Sequence, residues 1–519
     1  MKTRAKRIIG WGLFSLLALV ASGMLLADRL MPPAEGSPSH ALPIADDQTA
    51  LDRELVPLLA RHPGKTGAIL LPDGIDAFAS RALSARQAGR SLDLQYYIWH
   101  DDLTGHLLLH EAWQAAERGV RVRLLLDDIN TSGKDVALLA MDTHENIEIR
   151  VYNPFRNRSG IARVLEMVQR MFSITQRLHN KAGITDGRVP VVGGRNVGVE
   201  YFDASTDTNF RDLDVVLFGP AVKQASTIFD EFWNSEAVVQ IAQLNHKPRR
   251  QLDGVLQQIH DEARSPVARR YLDRIDASPS VRRYFAQDLS PHWSDSIRVV
   301  SDGPLKWKKD DARRHGLVNE LIKVMQTTRH KALLISPYFV PGQDGVDGFT
   351  AMVRDRGAQV GVITNSLAAN DVIAVHGAYA RYRKPLLEGG VQLYEIRARL
   401  AQASSLFGSS GASLHTKAFI IDDRHGFIGS FNIDPRSIDL NTEMGVLFDD
   451  PALAVALRDE YLHMAKPDIS YWLYLDNGKV RWLDRDHDPA FTLENEPDTT
   501  RWQRIQANVI GWLPIESQL

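Results

Sequence analysis

Leu178–Asp186 reads LHNKAGITD, and Leu414–Asp422 reads LHTKAFIID. Both write His, one residue, Lys, four residues, Asp: His179, Lys181 and Asp186 in the first copy, His415, Lys417 and Asp422 in the second. In a strand, side chains two apart share a face, so His179 and Lys181 look one way while Asn180 looks the other, and His415 and Lys417 pair likewise. An imidazole beside an ammonium makes a poor base unless an anion lies between them, and a phosphate group meets that need. A Gly 14 positions and an Asn 17 positions after each His follow: Gly193 and Asn196 in VVGGRN, Gly429 and Asn432 in FIGSFN. A glycine turn can return that amide to the His and Lys. Asp186 and Asp422, counted among the candidate site residues as part of the motif, fall on the opposite face of a continuous strand and are given a structural role by preference. Asp212 in FRDLDVVLF and Glu443 in NTEMGVLF precede the strands after the two Asn turns and are better suited to hold each imidazole in one tautomer.

The surroundings of the two motifs repeat as well. In the first half, GAILLPDGIDAFASRALSARQAGRSLDLQYYIW predicts strand, turn, helix, strand, and HLLLHEAWQAAERGVRVRLLLDD adds a helix and a strand. The second half has the same plan: SIRVVSDGPLKW, a helix around VNELIKVMQ, the strand KALLISPYFVPG, a helix through FTAMVRDRG and the strand AQVGVITNS. Unbroken apolar runs such as VRLLL and ALLIS, separated by helices, predict an α/β fold of two similar halves, each a mostly parallel sheet flanked by helices. The expected division is an anchor or signal at 1–28, a linker at 29–50, a first half at 51–237, a polar helical connector at 238–290, a second half at 291–465 and a tail packed on the fold at 466–519. The basic clusters of the connector read as a solvated helix face or, second, as a headgroup-binding patch.

With 61 basic and 64 acidic residues the net charge is −3, so no strong field draws the chain to a polyanion, and no nucleic-acid partner is expected. The sequence has no cysteine, which excludes disulfides, thiolate nucleophiles and cysteine zinc sites. Lys2, Arg4, Lys6 and Arg7 precede an uncharged run from Ile8 to Ala27, long enough at roughly 1.5 Å per residue to cross a bilayer core of about 30 Å. An uncleaved anchor is preferred over a cleaved signal, and a core helix is a distant third. Basic residues on the short side predict a cytoplasmic N-terminus with the bulk exported. Met31 to Gln48, rich in Pro, Ser and Ala, reads as a tether. IARVLEMVQRMFSITQRL and WQRIQANVIGWLPI each carry an apolar stripe, for which core packing is preferred over lipid contact. Asp127 and Asp128 end the strand VRVRLLLDD and read as caps.

Taken with these motifs, the sequence resembles the phospholipase D superfamily, whose signature is H-x-K-x4-D followed by G-[GS]-x-N, once per half. GGRNVGVEYFDA, RDLDVVLFGP, TNSLAANDVIAVHGAYARYRKPLLEGGVQLYE and the ending LPIESQL are similar to bacterial cardiolipin synthases of the C type. The resemblance implies one site at the seam of the halves, no metal, no other cofactor, and a phosphohistidine intermediate, with His179 as nucleophile and His415 as acid/base. It implies that Lys181, Lys417, Asn196 and Asn432 hold the phosphoryl oxygens. It also implies phospholipid substrates: a phosphatidyl group, possibly from phosphatidylethanolamine, moves to phosphatidylglycerol at a bacterial inner membrane, with the catalytic part on the periplasmic side. Whether a protein partner is needed is left open. Gly194 stands where the second copy has Ser430, so a hydroxyl contact to phosphate is expected on one side only; both are candidate substrate-binding residues. His376 either lines the acceptor side or is simply packed. The competing readings are an exported phosphodiesterase or nuclease of the same superfamily and a membrane scaffold with a relic site.

Overall fold

A computed structural model describes residues 36–131, 135–155, 175–244, 247–285, 290–308, 315–398, 411–513 and 516–518, with single positions at 15, 157, 158, 160, 163, 166 and 170. The expected anchor at 1–28 lies outside the described residues apart from Ser15, and so does most of IARVLEMVQRMFSITQRL. Among the described residues no helix is long and apolar enough to cross a membrane.

The first half supplies β1 (Thr66–Leu71), β2 (Ser91–Tyr96), β3 (Arg121–Asp127), β4 (Ile147–Tyr152), β5 (Ala182–Thr185), β6 (Val189–Gly193), β7 (Thr208–Arg211), β8 (Asp214–Phe218), β9 (Val238–Gln240) and β10 (His292–Ser294). All but β7 form one sheet in the order β10-β1-β8-β6-β5-β2-β3-β4-β9. The second half supplies β11 (Arg298–Ser301), β12 (Lys331–Ile335), β13 (Gln359–Asn365), β14 (Gln392–Ile396), β15 (Gly411–Leu414), β16 (Lys417–Ile421), β17 (His425–Gly429), β18 (Met444–Asp449), β19 (Ser470–Asp476), β20 (Lys479–Asp484) and β21 (Phe491–Leu493). Without β15 these run β11-β18-β17-β16-β12-β13-β14-β19-β20-β21. The two orders match strand for strand from β1 and β11 to β9 and β19, so the repeat seen in the motifs is a duplication of topology.

The sheets are mixed, not mostly parallel. Only β2, β3 and β4, and their counterparts β12, β13 and β14, run parallel. These are the strands joined through helices, such as Leu103–Glu117 between β2 and β3, whose start Asp102 caps by accepting from the Gly105 N–H. From β5 to β8 the chain turns back with only the short turn Val199–Tyr201 on the way, and from β16 to β18 with the short helix Pro435–Asp439, so β5, β6 and β8 pair antiparallel, as do β16, β17 and β18. An unbroken apolar strand signals cover on both faces and says nothing of direction. Leu125, Ile184, Val192 and Leu217 share one continuous core with Leu333, Ile363, Ile420 and Val446, which joins the halves.

Two other expectations change. Residues 37–41, read as free tether, are fastened to the first half: Ser39 N–H donates to Asn234, Ala41 N–H to Asp230, and the Ser37 and Ser39 carbonyls accept from Arg150 and Arg123. Backbone groups do this work, and a composition rich in Pro and Ser does not reveal it. Asp186 and Asp422, counted with the motif, do not enter the site. Both sit in hairpin turns at φ 55° and 53°. Asp186 accepts from the N–H groups of Gly89, Arg90 and Ser91 at 2.7–3.1 Å, and Asp422 from those of Arg329, His330 and Lys331 at 2.8 Å. Each motif aspartate thus fastens the entry of its half's central strand, β2 or β12.

Asp186→Ala removes three acceptor contacts at a fully buried carboxylate and places Ala at positive φ, and is expected to cost on the order of 3 kcal/mol in denaturant unfolding. Asp422→Ala should cost less, about 1 kcal/mol, because Arg329 and His330 are exposed and their N–H groups can turn to water.

Candidate active site

The segments that carry the histidines dock on the acidic segment of the opposite half. His179 N–H donates to the Thr442 carbonyl at 3.0 Å, and Thr442 N–H to Arg177 at 2.9 Å. In the mirror arrangement β15 lies parallel to β7, and the His415 N–H donates to the Arg211 carbonyl at 2.7 Å. The residue after each accepting carbonyl is an acid, Glu443 after Thr442 and Asp212 after Arg211. Nδ1 of His179 consequently donates to Glu443 Oε2 at 2.7 Å, and Nδ1 of His415 to Asp212 Oδ2 at 2.5 Å. Each carboxylate orients the imidazole of the other half. With Nδ1 engaged, Nε2 is the open nitrogen of both rings.

The carboxylates are themselves held, by different means. Glu443 Oε2 also accepts from the Ser430 hydroxyl at 2.5 Å, and Oε1 from Ser437 at 2.9 Å. Ser430, expected to reach phosphate, is thus turned to Glu443. At the equivalent place in the first half a Cβ on Gly194 would come within 2.2 Å of Asp212 Oδ1. The Gly/Ser difference therefore fits an Asp on one side and a Glu with a hydroxyl donor on the other, and neither residue is aimed at a substrate. Behind Glu443, its N–H donates to Asp302, and the buried Lys306 ammonium spans Asp302, the Ser437 carbonyl and the Asn441 carbonyl at 2.7–2.8 Å.

Other motif residues settle close to expectation with altered detail. The His-x-Lys triplets precede β5 and overlap the start of β16 instead of lying within a strand, and the Lys side chains fold back: Lys181 Nζ donates to the His179 carbonyl at 2.7 Å, and Lys417 Nζ to that of His415. Both lysines are buried. Asn196 accepts from the Ile98 N–H at 3.2 Å and donates to the Tyr201 hydroxyl at 2.9 Å. Asn432 is buried with Oδ1 unpaired. His376 is turned elsewhere, packed with Arg383 at 2.7 Å and Glu496 at 3.2 Å on a cavity of about 210 Å³ lined also by Trp482 and Arg504.

Sequence reasoning missed several supporting groups. Asp127 caps a short turn, as expected of it, and also accepts from the Leu178 N–H at 2.8 Å, directly before His179. Asn365 does the same for the second half, exchanging two hydrogen bonds with Leu414 directly before His415. Both end the middle strand of their parallel trio, a positional signal that could have flagged them. Tyr97 meets the His179 ring edge-on at 5.0 Å, and His415 sits between Tyr201 and Phe210 at 5.2 and 5.5 Å. His100, Asp102 and Glu200 bring three ligand-type atoms within 4.8 Å, but His100 is already paired with Glu200 at 3.2 Å and Asp102 accepts from two backbone N–H groups.

Burial and the cations Lys181 and Lys417 hold the His179 imidazole well below its usual range. His415 is lowered less, because burial and Lys417 are opposed by Asp212. Burial pushes Glu443 up to about 7 against the pull of Lys181, whereas Asp212, though burial resists, is kept below its usual range by His415 and Lys417. Burial also lowers both lysines, Lys181 far and Lys417 to about 8. Two ammoniums and two open imidazole nitrogens in one dehydrated place form a receptor for an anion with several oxygens, such as a phosphate ester.

The family described as cardiolipin synthase, PLD-like domain, matches residues 84–233 and 321–465. Over 469 residues the chain is 40% identical to cardiolipin synthase C of Escherichia coli K12, covering 89% of this chain and 98% of that protein. It is 25% identical over 398 residues to cardiolipin synthase of Staphylococcus aureus Mu50, covering 75% and 65%. The crystal structure of phosphatidylserine synthase from Haemophilus influenzae shares the fold, with a TM-score of 0.55 at 12% identity, over 90% of this chain and all of that one.

Binding of inorganic phosphate, followed by calorimetry, is expected to weaken above a pH of about 8, where Lys417 gives up its proton and its charge. Lys417→Arg, which stays charged, should move that decline to higher pH.

Proposed function

This chain belongs to the cardiolipin synthase, PLD-like domain family, and on that premise we propose that it is a phosphatidyltransferase that makes cardiolipin through a phosphohistidine on His179. The observation that carries the reading is the pair of crossed carboxylates, which leaves two Nε2 atoms open on imidazoles that interact with each other and with the buried Lys181 and Lys417. The unequal pairs support unequal roles. The neutral His179 ring, far below its usual range, suits a nucleophile. His415, backed by an Asp212 that stays ionised, suits a proton carrier that passes through imidazolium.

In the first step Nε2 of His179 forms a bond to phosphorus as the bond from phosphorus to the headgroup oxygen breaks. Nε2–H of His415 gives its proton to that oxygen, and the headgroup alcohol leaves. In the second step the hydroxyl of phosphatidylglycerol attacks phosphorus, His415 takes its proton back, and the bond to His179 breaks. Lys181, Lys417 and the Asn196 and Asn432 amides stabilise the charge gathering on the non-bridging oxygens. Phosphatidylethanolamine is the proposed phosphatidyl donor. The uncharged run at 8–27 would hold the chain in a bacterial inner membrane with this site on the periplasmic side.

Purified full-length chain in mixed micelles of headgroup-labelled phosphatidylethanolamine and phosphatidylglycerol should release ethanolamine and form cardiolipin, read by mass analysis. Ethanolamine with phosphatidic acid and no cardiolipin would mark hydrolysis instead. A p-nitrophenyl phosphodiester of a diacylglycerol separates the two histidines, because its leaving group needs no acid. His415→Ala should then give a burst of about one equivalent of nitrophenol and a trapped adduct on His179, while His179→Ala gives neither.

A further inference from the structure

The C-terminal helix Arg501–Gly511 begins at a Thr500 capping box with Gln503 and lies against the helix Ile373–Glu388 in backbone contact. A Cβ on Gly377 would come within 2.5 Å of the Ala507 carbonyl, and one on Gly511 within 2.7 Å of the Gly377 carbonyl. This close seating fixes the rotation of the helix and turns the other face outward. Trp502, Ile505, Val509, Trp512 and Leu513 are there 66%, 50%, 57%, 87% and 47% exposed. Spacings of three, four and three residues place Trp502, Ile505, Val509 and Trp512 in one stripe. Core packing, the preferred reading of WQRIQANVIGWLPI, holds among its described residues for Ala507 and Gly511, with Ile510 half-buried. The helix carries Arg501 and Arg504 and no acidic residue. Elsewhere among the described residues the exposed large apolar side chains are scattered positions such as Ile44, Val267 and Phe491.

The chain that follows the stripe leads to the surroundings of the active site. The turn Glu516–Gln518 packs on the helix Pro435–Asp439, which begins three residues after Asn432. Arg436 of that helix donates to the Gln518 carbonyl at 3.4 Å and to the Thr175 carbonyl at 2.9 Å, and its charge helps depress His179.

We propose that this face enters the headgroup region of a lipid bilayer and sets the rim of the active site on the membrane, a reading that rests on the phosphatidyltransferase function above. The occupant follows from the chemistry of the face. Indole rings at both ends of an apolar stripe match the depth at which Trp settles between headgroups and acyl chains. Arg501, exposed at the start of a helix without acids, pairs with lipid phosphates, while Arg504 lines the cavity beside Glu496. A second point of contact beyond the N-terminal run gives the site a fixed orientation toward its diacyl substrates in place of a position averaged over a tether.

The chain has no cysteine, so single-cysteine variants report without background. Full-length Val509→Cys and Trp512→Cys, and the control Gln258→Cys on the exposed surface of the connector, are labelled with a polarity-sensitive fluorophore and reconstituted in vesicles of phosphatidylglycerol and phosphatidylethanolamine. The proposal expects blue-shifted emission, protection from aqueous iodide and quenching by lipid carrying a spin label on its acyl chain at 509 and 512, with none of these at 258. Equal iodide access at all three positions overturns it. Protection at 509 and 512 without quenching by the spin-labelled lipid marks a protein, whether a second copy or another partner, as the occupant and also overturns it. The label readout needs no turnover, so the same measurement with His179→Ala added keeps failure of the docking face distinct from failure of the catalytic reading.

Discussion

The imidazoles of His179 and His415 are each held by a carboxylate that the other half provides, and the rest of the site follows from that exchange. The pairing is set by the backbone: the histidine's own N–H donates to the carbonyl of the residue just before the acid, so docking of the segments and alignment of the side chains are one event. Hydrogen bonds to ionised groups contribute roughly 1.5–3 kcal/mol each when made, and leaving one partner buried and unpaired costs at least as much. Neither half can therefore hold its histidine in a defined tautomer alone. The shared core of Leu125, Val192, Leu333 and Val446 keeps the halves in the register that the exchange requires.

The duplication left the two pairs chemically unequal. On one side Glu443 is wrapped by Ser430, Ser437 and the Asp302–Lys306 pair and sits beside a His179 stripped of proton affinity by burial and two lysines. On the other, the shorter Asp212 fits only because Gly194 has no Cβ, and it stays ionised next to His415. A reaction that needs one neutral nitrogen and one proton-bearing nitrogen is served by this imbalance better than by two identical halves.

Much of this was legible in the sequence, and the omissions have physical causes. The order of helices and strands, and the identities of His179, His415, Lys181, Lys417, Asn196, Asn432, Asp212 and Glu443, could be read from periodicity and repeated spacing. That Asp212 serves His415 and Glu443 serves His179 could not, because spacing within a half carries no information about contacts between halves. Strand direction is not legible because burial on both faces looks alike in parallel and antiparallel strands, while the turn at Asp186–Gly187, which forces the reversal, lies in a stretch that reads as one continuous strand. Residue type alone points Ser430 to phosphate, although a hydroxyl beside a buried carboxylate has a nearer partner. The outward face of the C-terminal helix depends on where Gly377 lets it sit, and its own apolar period cannot distinguish a face turned to the core from one turned away.

The lysines show that the site is built at a cost. Burial disfavours the charged form of both lysines, and at Lys181 the neighbouring Lys417 adds to it against the pull of Glu443. The strands that end in Asp127 and Asn365, and the Lys306 ammonium behind Glu443, keep the surrounding backbone from relaxing into an arrangement that spreads these charges apart. An anion entering between the lysines favours their charged forms, and its own negative charge opposes the pull of Lys417 and favours a proton on His415, the group proposed to protonate the leaving oxygen. Binding and activation are then coupled through electrostatics alone: the same phosphate that relieves the buried cations prepares the acid that acts on it.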